Sequence, residues 1–149
     1  MTQSRKKPLS QQRSRARRIA IQALYQWQMA GQDLNDIEQQ FLSSEESAGA
    51  DLGYFHQLLH DIPARLDDLD RHLAPALDRP IAAVDPVERG ILRLGAYELA
   101  FCPDIPFRVV INEAVELAKT FGAEQGHRYV NGVLDRLAHE LRAWDMNSH

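Results

Sequence analysis

The chain has 149 residues, of which 44% are hydrophobic and 26% are charged, and its net charge at pH 7 is −4. This composition excludes a wholly disordered chain, and no apolar run approaches the roughly 20 residues that span a bilayer. Cys102 is the single cysteine, which excludes an intrachain disulfide and a multi-cysteine zinc site. A reducing, cytoplasmic setting is therefore expected.

The charge is distributed unevenly along the chain. The first 20 residues hold seven basic and no acidic side chains, whereas the other 129 hold 10 basic and 21 acidic ones. A basic arm on an acidic body is typical of a protein that binds nucleic acid, and the acidic body suggests a basic protein partner.

Apolar periodicity predicts helices in the first half of the chain, and no segment alternates as a strand does. We expect residues 1–9 to form a flexible basic tail, and Ser10 to cap a first helix that Gly31 ends. A longer helical seam follows, with apolar residues three and four positions apart: Leu52, Phe55, Leu59, Ile62, Leu66, Leu69 and Leu73. Pro63 lies within this seam and predicts a kink or a break.

The second half of the chain begins after PALDRP, residues 75–80, which predicts a boundary between two sub-bundles. Asp85 and Pro86 then have the form of a helix N-terminus. Gly132 interrupts the pattern of the last helix, and close helix packing is the expected reason for a glycine there.

These patterns predict an all-α fold of six to seven helices in two packed antiparallel three-helix sub-bundles. The N-terminal sub-bundle would span residues 10–79 and the C-terminal one residues 80–143. A disordered tail, residues 144–149, would follow.

An arginine cluster opens the first helix: Arg13, Arg15, Arg17 and Arg18. Guanidinium groups offer phosphate a fixed charge and a planar donor fork. One stripe of this helix carries four candidate RNA-binding side chains: Arg15, Arg18, Gln22 and Tyr25. Single-stranded RNA recognition combines such cations with an aromatic ring. The alternative is a solvated basic helix start, although cations there oppose the helix dipole.

Arg128 and Tyr129 pair a cation with an aromatic ring in the same way and could extend the RNA surface. The alternative for Tyr129 is a half-buried core position.

His56 and His60 lie four residues apart, a spacing that can place two imidazoles on one metal ion. Gln57 between them departs from the HExxH motif, and no further ligand set is evident. We therefore expect two surface or half-buried histidines and no metal. No GxSxG, phosphate-binding glycine loop or CxxC motif is found, so no catalytic residues and no cofactor are predicted.

Four segments carry a resemblance to a known family: AIQALYQW (20–27), ERGILRLGAYEL (88–99), VINEAVELAK (110–119) and FGAEQGHRYVNGVLD (121–135). Together with the chain between them, over about residues 10–142, they resemble the NusB family of bacterial transcription antitermination factors. The resemblance implies a fold of two three-helix sub-bundles. It also implies a protein that pairs with ribosomal protein S10 (NusE), binds the single-stranded boxA RNA of ribosomal RNA operons, and promotes read-through by RNA polymerase. Other Nus factors in the elongation complex would be partners, without cofactor or catalysis.

The resemblance also implies roles for particular residues. The arginine-rich motif would contact RNA, although Ser14 interrupts the arginine run that is commoner in the family. Tyr25, Lys119, Arg128 and Tyr129 match positions near the family's RNA surface. Glu88 matches a position at the S10 interface.

Two alternatives stay open. The chain could be a self-associating helical interaction module whose homodimer covers the RNA surface. It could also be a stand-alone relative of the RNA-binding domain that precedes the catalytic domain of some RNA methyltransferases. Because no glycine-rich nucleotide-binding strand–turn–helix is found, we expect no methyltransferase domain.

Overall fold

The structure is a computed structural model that describes residues 8–146, and within that range the chain forms helices and no β-strand. The all-α prediction is confirmed. The described residues contain eight α-helices, of which the last has only four residues. None of these helices is both long and apolar enough to cross a membrane. The chain divides into two compact units, of which the first ends at Asp61 and the second begins at Ile62.

The first unit consists of three helices: α1 (Leu9–Ala30), α2 (Leu34–Leu42) and most of α3 (Leu52–Ala64). Pro8, not Ser10, precedes the first turn of α1, so the predicted cap is wrong. Proline suits this place because its φ of −54° is already near the helical value and the missing N–H has no partner to lose. Gly31 ends α1 as predicted, in the left-handed region with φ 67°. Residues 1–7 of the predicted flexible tail lie outside the described residues.

The core of the first unit contains apolar residues of all three helices. On α1 the buried apolar residues recur three and four positions apart, and α2 adds Ile37 and Phe41. The Phe41 ring lies 6.2 Å from the Phe55 ring of α3, which joins these two helices. Asp33 caps α2 by accepting from the backbone N–H of Asn35 at 2.8 Å.

The predicted break in the long seam is confirmed. The helix after α3 is α4 (Leu66–Leu73), and Arg65 between them has non-helical angles of φ −113° and ψ 20°. Leu52 lies outside the core with 44% exposure, so the seam begins later than predicted.

The division between the units falls just before Pro63, whereas the sequence placed it at residues 79 and 80. The reason is that α4 packs within the second unit. Asp70 on α4 forms a bidentate ion pair with Arg93, with both N–O distances 2.9 Å.

The second unit is built around three mutually packed helices: α5 (Pro86–Phe101), α6 (Phe107–Phe121) and α7 (Gly126–Leu141). Asp85 caps α5 as predicted, because its Oδ2 accepts from the N–H groups of Val87 and Glu88 at 3.1 and 3.2 Å. Residues 91–99 are all buried, which makes α5 the central helix of this unit.

Close helix packing occurs at Gly95 and not at Gly132, where it was predicted. A Cβ added to Gly95 would lie 2.7 Å from Leu134 Cδ1, so α5 and α7 approach closely there. A Cβ at Gly132 would make only an ordinary contact, 3.6 Å from Arg136 Nη1.

The predicted disordered tail is helical where the structure describes it. A short helix α8 (Ala143–Met146) follows α7, and residues 147–149 lie outside the described residues. Asp145 orders this segment because its Oδ2 accepts from the Phe107 N–H and from Arg142, both at 3.1 Å.

Candidate nucleic-acid interface

The predicted stripe on α1 is present and faces away from the core of the first unit. Ala16, Ile19 and Ala20 on the opposite face are at most 2% exposed. Arg18 and Tyr25 are exposed, Tyr25 by 43%. They are seven positions apart, which is close to two helical turns, so both side chains leave the same side of the helix.

Gln22 lies between these two side chains and is partly exposed. Its Nε2 donates to the Arg18 carbonyl at 3.3 Å, which is a local helix contact. The amide oxygen can still accept from a base or a ribose hydroxyl. Arg18, Gln22 and Tyr25 therefore present a cation, an amide and an aromatic ring in a row.

Arg15 is only partly exposed, because its Nη1 donates to the Ala48 carbonyl at 3.0 Å. This bond holds the guanidinium near the loop that precedes α3. Ser14, the residue that interrupts the arginine run, donates its hydroxyl to the Ser10 carbonyl at 2.9 Å.

Arg13 and Arg17 both lie over the Tyr54 ring, with their guanidinium carbons 4.7 and 5.5 Å from its centre. Arg13 is also 3.9 Å from Asp51 and its side chain is 32% exposed. Arg17 is only 2% exposed. Burial removes Arg17 from the surface that a phosphate can reach, so its packing corrects the prediction of an RNA contact.

The second unit contains the remaining predicted RNA-binding residues. Lys119 and Arg128 are exposed. Lys119 Nζ lies 3.7 Å from Glu116 Oε1, and both side chains are more than half exposed. An exposed ion pair of this kind is weak, so Lys119 can leave Glu116 and bind another anion.

Tyr129 is half-buried and belongs to a small polar cluster. Its hydroxyl donates to Asp78 Oδ1 at 3.0 Å, and the Arg79 guanidinium carbon lies 4.8 Å from the ring centre. Burial and the bond to Asp78 raise the pKa of Tyr129. The Arg79 guanidinium lies over one face of this ring, so a base can stack on that face only if Arg79 moves.

Asp78 is held ionised in this cluster. Arg79 donates to both of its carboxylate oxygens, at 2.8 and 3.0 Å. These bonds, with that from Tyr129, lower the pKa of Asp78 to about 2. Arg79 is an exposed cation beside a candidate residue, and sequence reasoning missed it because about 50 residues separate it from Tyr129.

Glu88, the predicted partner contact, lies in the first turn of α5 and is only 8% exposed. Burial raises the pKa of its carboxyl group, and the nearby charge of Asp85 raises it further. Gly126 leaves room for this side chain, since a Cβ there would lie 2.6 Å from Glu88 Oε2. A partner would therefore reach little of Glu88 unless the side chain moved.

The sequence and fold were compared with those of known proteins. The model of the NusB family matches residues 14–139. A relative from Nitrosococcus oceani, named transcription antitermination protein NusB, is 54% identical over 140 residues and covers 94% of each chain. A relative of the same name from Alcanivorax borkumensis is 55% identical over 130 residues and covers 87% of each chain.

Two solved structures are similar to the fold. The structure of T. maritima NusB matches with a TM-score of 0.76 and 30% identity, over 96% of this chain and 99% of that one. A chain in the crystal structure of antitermination factors NusB and NusE in complex with double-stranded RNA matches with a TM-score of 0.72 and 25% identity, over 85% and 96%. The family match over most of the sequence, with relatives at more than half identity, establishes that the chain belongs to the NusB family.

Proposed function

We propose that this chain is a transcription antitermination factor that binds RNA together with NusE, which is ribosomal protein S10. The observation that carries the proposal is the family match over residues 14–139, with relatives at more than half identity that bear the antitermination name. The similar fold in a complex of NusB, NusE and double-stranded RNA supports the two partners.

The exposed stripe of α1 supplies the chemistry for holding RNA. Arg18 can bind a phosphate through its donor fork, and Tyr25 offers a ring on which a base can stack. Arg15 of the same stripe and Arg13 of the arginine cluster are partly exposed and add positive charge. This arrangement of side chains favours contacts to the sugar–phosphate backbone of the RNA and to the faces of its bases.

In the second unit, the candidate RNA-binding residues are Lys119, Arg128 and Tyr129, to which the structure adds Arg79 beside Tyr129. We propose that these residues contact the same RNA.

The proposed RNA is a boxA-type single strand from ribosomal RNA operons. An aromatic ring stacks on a base that is unpaired, whereas a duplex hides its base faces. Action on nascent transcripts implies other Nus factors, the elongation complex and the bacterial cytoplasm as the setting. We expect the chain to act by binding alone, without catalysis.

The experiment is a gel shift with this chain, S10 and a short boxA RNA, mixed in pairs and all together. We expect weak binding by the chain alone and at least tenfold tighter binding with S10, because S10 would supply further RNA contacts. An RNA affinity that S10 leaves unchanged would contradict the joint site.

Charge reversal gives the matched control. Arg18→Glu should weaken RNA binding in the three-component mixture. Arg71→Glu removes an equally exposed arginine of α4 and should leave the affinity unchanged. Sedimentation of the free chain tests the homodimer, which should dissociate when RNA is added if it covers the same surface.

A further inference from the structure

A cluster of three metal-ligating side chains joins α2 and α3 in the first unit. His56 Nδ1 lies 2.7 Å from Glu38 Oε2, and His60 Nε2 lies 2.8 Å from Glu38 Oε1. The two imidazole ring centres are 4.4 Å apart. One ligand atom from each residue can be chosen so that all three lie within 4.8 Å of one another.

The helix geometry and the core together hold this cluster in place. His56 and His60 are one turn apart on α3, so both rings leave the same face of that helix. Glu38 on α2 follows Ile37, which is fully buried. Because the core between α2 and α3 is packed, the carboxylate is presented to both imidazoles before any ligand binds.

Two imidazoles and one carboxylate are a donor set that suits Zn²⁺ and neighbouring divalent transition metals. Zinc binds such nitrogen and oxygen atoms at about 2.0–2.2 Å, which places tetrahedral ligands roughly 3.3 Å from one another. The two N–O gaps in the cluster are shorter, so each must open by about half an ångström. Side-chain rotation can supply this movement, because His56 is 59% and His60 26% exposed at the side chain.

We propose that Glu38, His56 and His60 form a binding site for a divalent transition-metal ion of the zinc class, which clips α2 to α3. Three protein ligands leave a fourth position for water, and the exposed edge at His56 provides access for the ion. An ion bound only by the folded unit adds to its stability by mass action. The site does not depend on the proposed RNA function.

The competing explanation is a cluster that is complete without an ion. Neutral imidazoles can donate their N–H groups to the carboxylate, which would satisfy both oxygens. The two explanations differ in what added Zn²⁺ does to the protein, and this difference can be measured on the full chain.

The first measurement is calorimetric titration of the metal-free chain with zinc chloride, followed by thermal unfolding. We expect one equivalent of Zn²⁺ to bind and the melting temperature to rise with Zn²⁺ concentration. With Co²⁺ in place of Zn²⁺, absorption bands should report imidazole and carboxylate coordination. The absence of both heat and a melting shift would overturn the proposal and leave the hydrogen-bonded cluster.

Variants locate the site. His56→Gln and Glu38→Gln should each weaken Zn²⁺ binding by at least about tenfold, since even outer-sphere partners cost 10- to 100-fold in metal affinity. His56→Gln is the safer of the two for folding, because its side chain is largely exposed.

His139→Gln is the matched control. His139 is exposed and lies 3.8 Å from Asp135, but it belongs to no three-ligand group among the described residues. Its loss should leave Zn²⁺ affinity unchanged. An equal loss in His139→Gln and His56→Gln would mean adventitious binding to surface histidines and would overturn the assignment.

Discussion

Both units contain exposed and buried arginines, but the buried ones occur in different sequence contexts. In the first unit, four arginines lie within the six residues 13–18 of α1, and Arg18 among them is exposed. In the second unit, Arg93 and Arg142 have no basic neighbours of that kind, and they are 9% and 1% exposed. Arg142 donates to four backbone carbonyls: those of Glu98, Leu99, Cys102 and Ile105.

This comparison shows that the sequence context of an arginine indicates its role only in part. Arg142, which has no arginine cluster around it, holds the C-terminal end of α5 by donating to carbonyls such as that of Leu99, since the last carbonyls of a helix have no intrahelical N–H partner. Within the cluster, burial separates Arg17 from its neighbour Arg18. The proposed phosphate contacts are therefore restricted to the exposed side chains, whereas the buried arginines contact other groups of the fold.

The largest expected effect is on Arg142. Replacing it with methionine keeps most of its volume but removes one hydrogen-bond donor from each of several buried carbonyls and from the Asp145 carboxylate. We expect a loss of about 3–5 kcal/mol in the free energy of unfolding, measured by urea denaturation. Arg108→Met, at an exposed position on α6, should change it by less than about 0.5 kcal/mol. A stable Arg142→Met protein would show that the buried network is dispensable.

The second prediction compares the stability losses of replacing Arg17 and Arg18, which are neighbours in the arginine cluster. Arg17→Met should cost about 1–3 kcal/mol of stability, because it removes the cation–π contact of a buried guanidinium with the Tyr54 ring. Arg18→Met should leave stability within about 0.5 kcal/mol of the original. Equal stability losses in urea would remove the distinction that burial draws between them.

A smaller effect is expected at the contact between Glu88 and Gly126. Gly126→Ala would push a methyl group into the Glu88 carboxylate and should cost about 1–2 kcal/mol in the free energy of unfolding. Glu88→Ala in the same chain should relieve part of that cost, which a double-mutant cycle measures. Strictly additive losses would mean that the two positions do not contact each other.

Glu88→Ala also tests the prediction that Glu88 lies at the S10 interface. If Glu88 contributes to the S10 interface, Glu88→Ala should weaken the heterodimer in a pull-down titration. Unchanged S10 affinity would restrict Glu88 to a structural role.

The smallest expected effect is the change in stability as the Asp78 carboxyl group is protonated at low pH. Its folded pKa of about 2 lies below the ordinary 3.8, so the cluster adds stability above pH 3.8 and loses it as the pH falls toward 2. Arg79→Gln should raise the carboxyl pKa toward 3.8, as followed by NMR. A midpoint that stays near 2 in this variant would show that Arg79 is not the main cause.

The all-α class, the C-terminal end of α1, the N-terminal end of α5 and the break after Pro63 could be predicted because local signals determine them. The helical structure of α8 could not be predicted, because it depends on a hydrogen bond from the Phe107 N–H to Asp145, which is 38 residues away.

The same limit applies to the candidate sites. The α1 stripe follows from helix spacing alone, but the burial of Arg17 depends on Tyr54 of another helix. Glu38 lies 18 residues from His56, so no local motif could identify the third ligand of the proposed metal site.

The salt dependence of RNA binding tests the role of the exposed α1 stripe most directly. Affinity for a boxA strand, measured with S10 over a range of salt concentrations, should fall steeply as salt rises. Arg18→Gln should weaken binding and reduce the log–log slope by about 0.7, the value for one lost contact to a single strand. If Arg18→Gln left both the affinity and the slope unchanged, the exposed face of α1 would not be what holds the RNA.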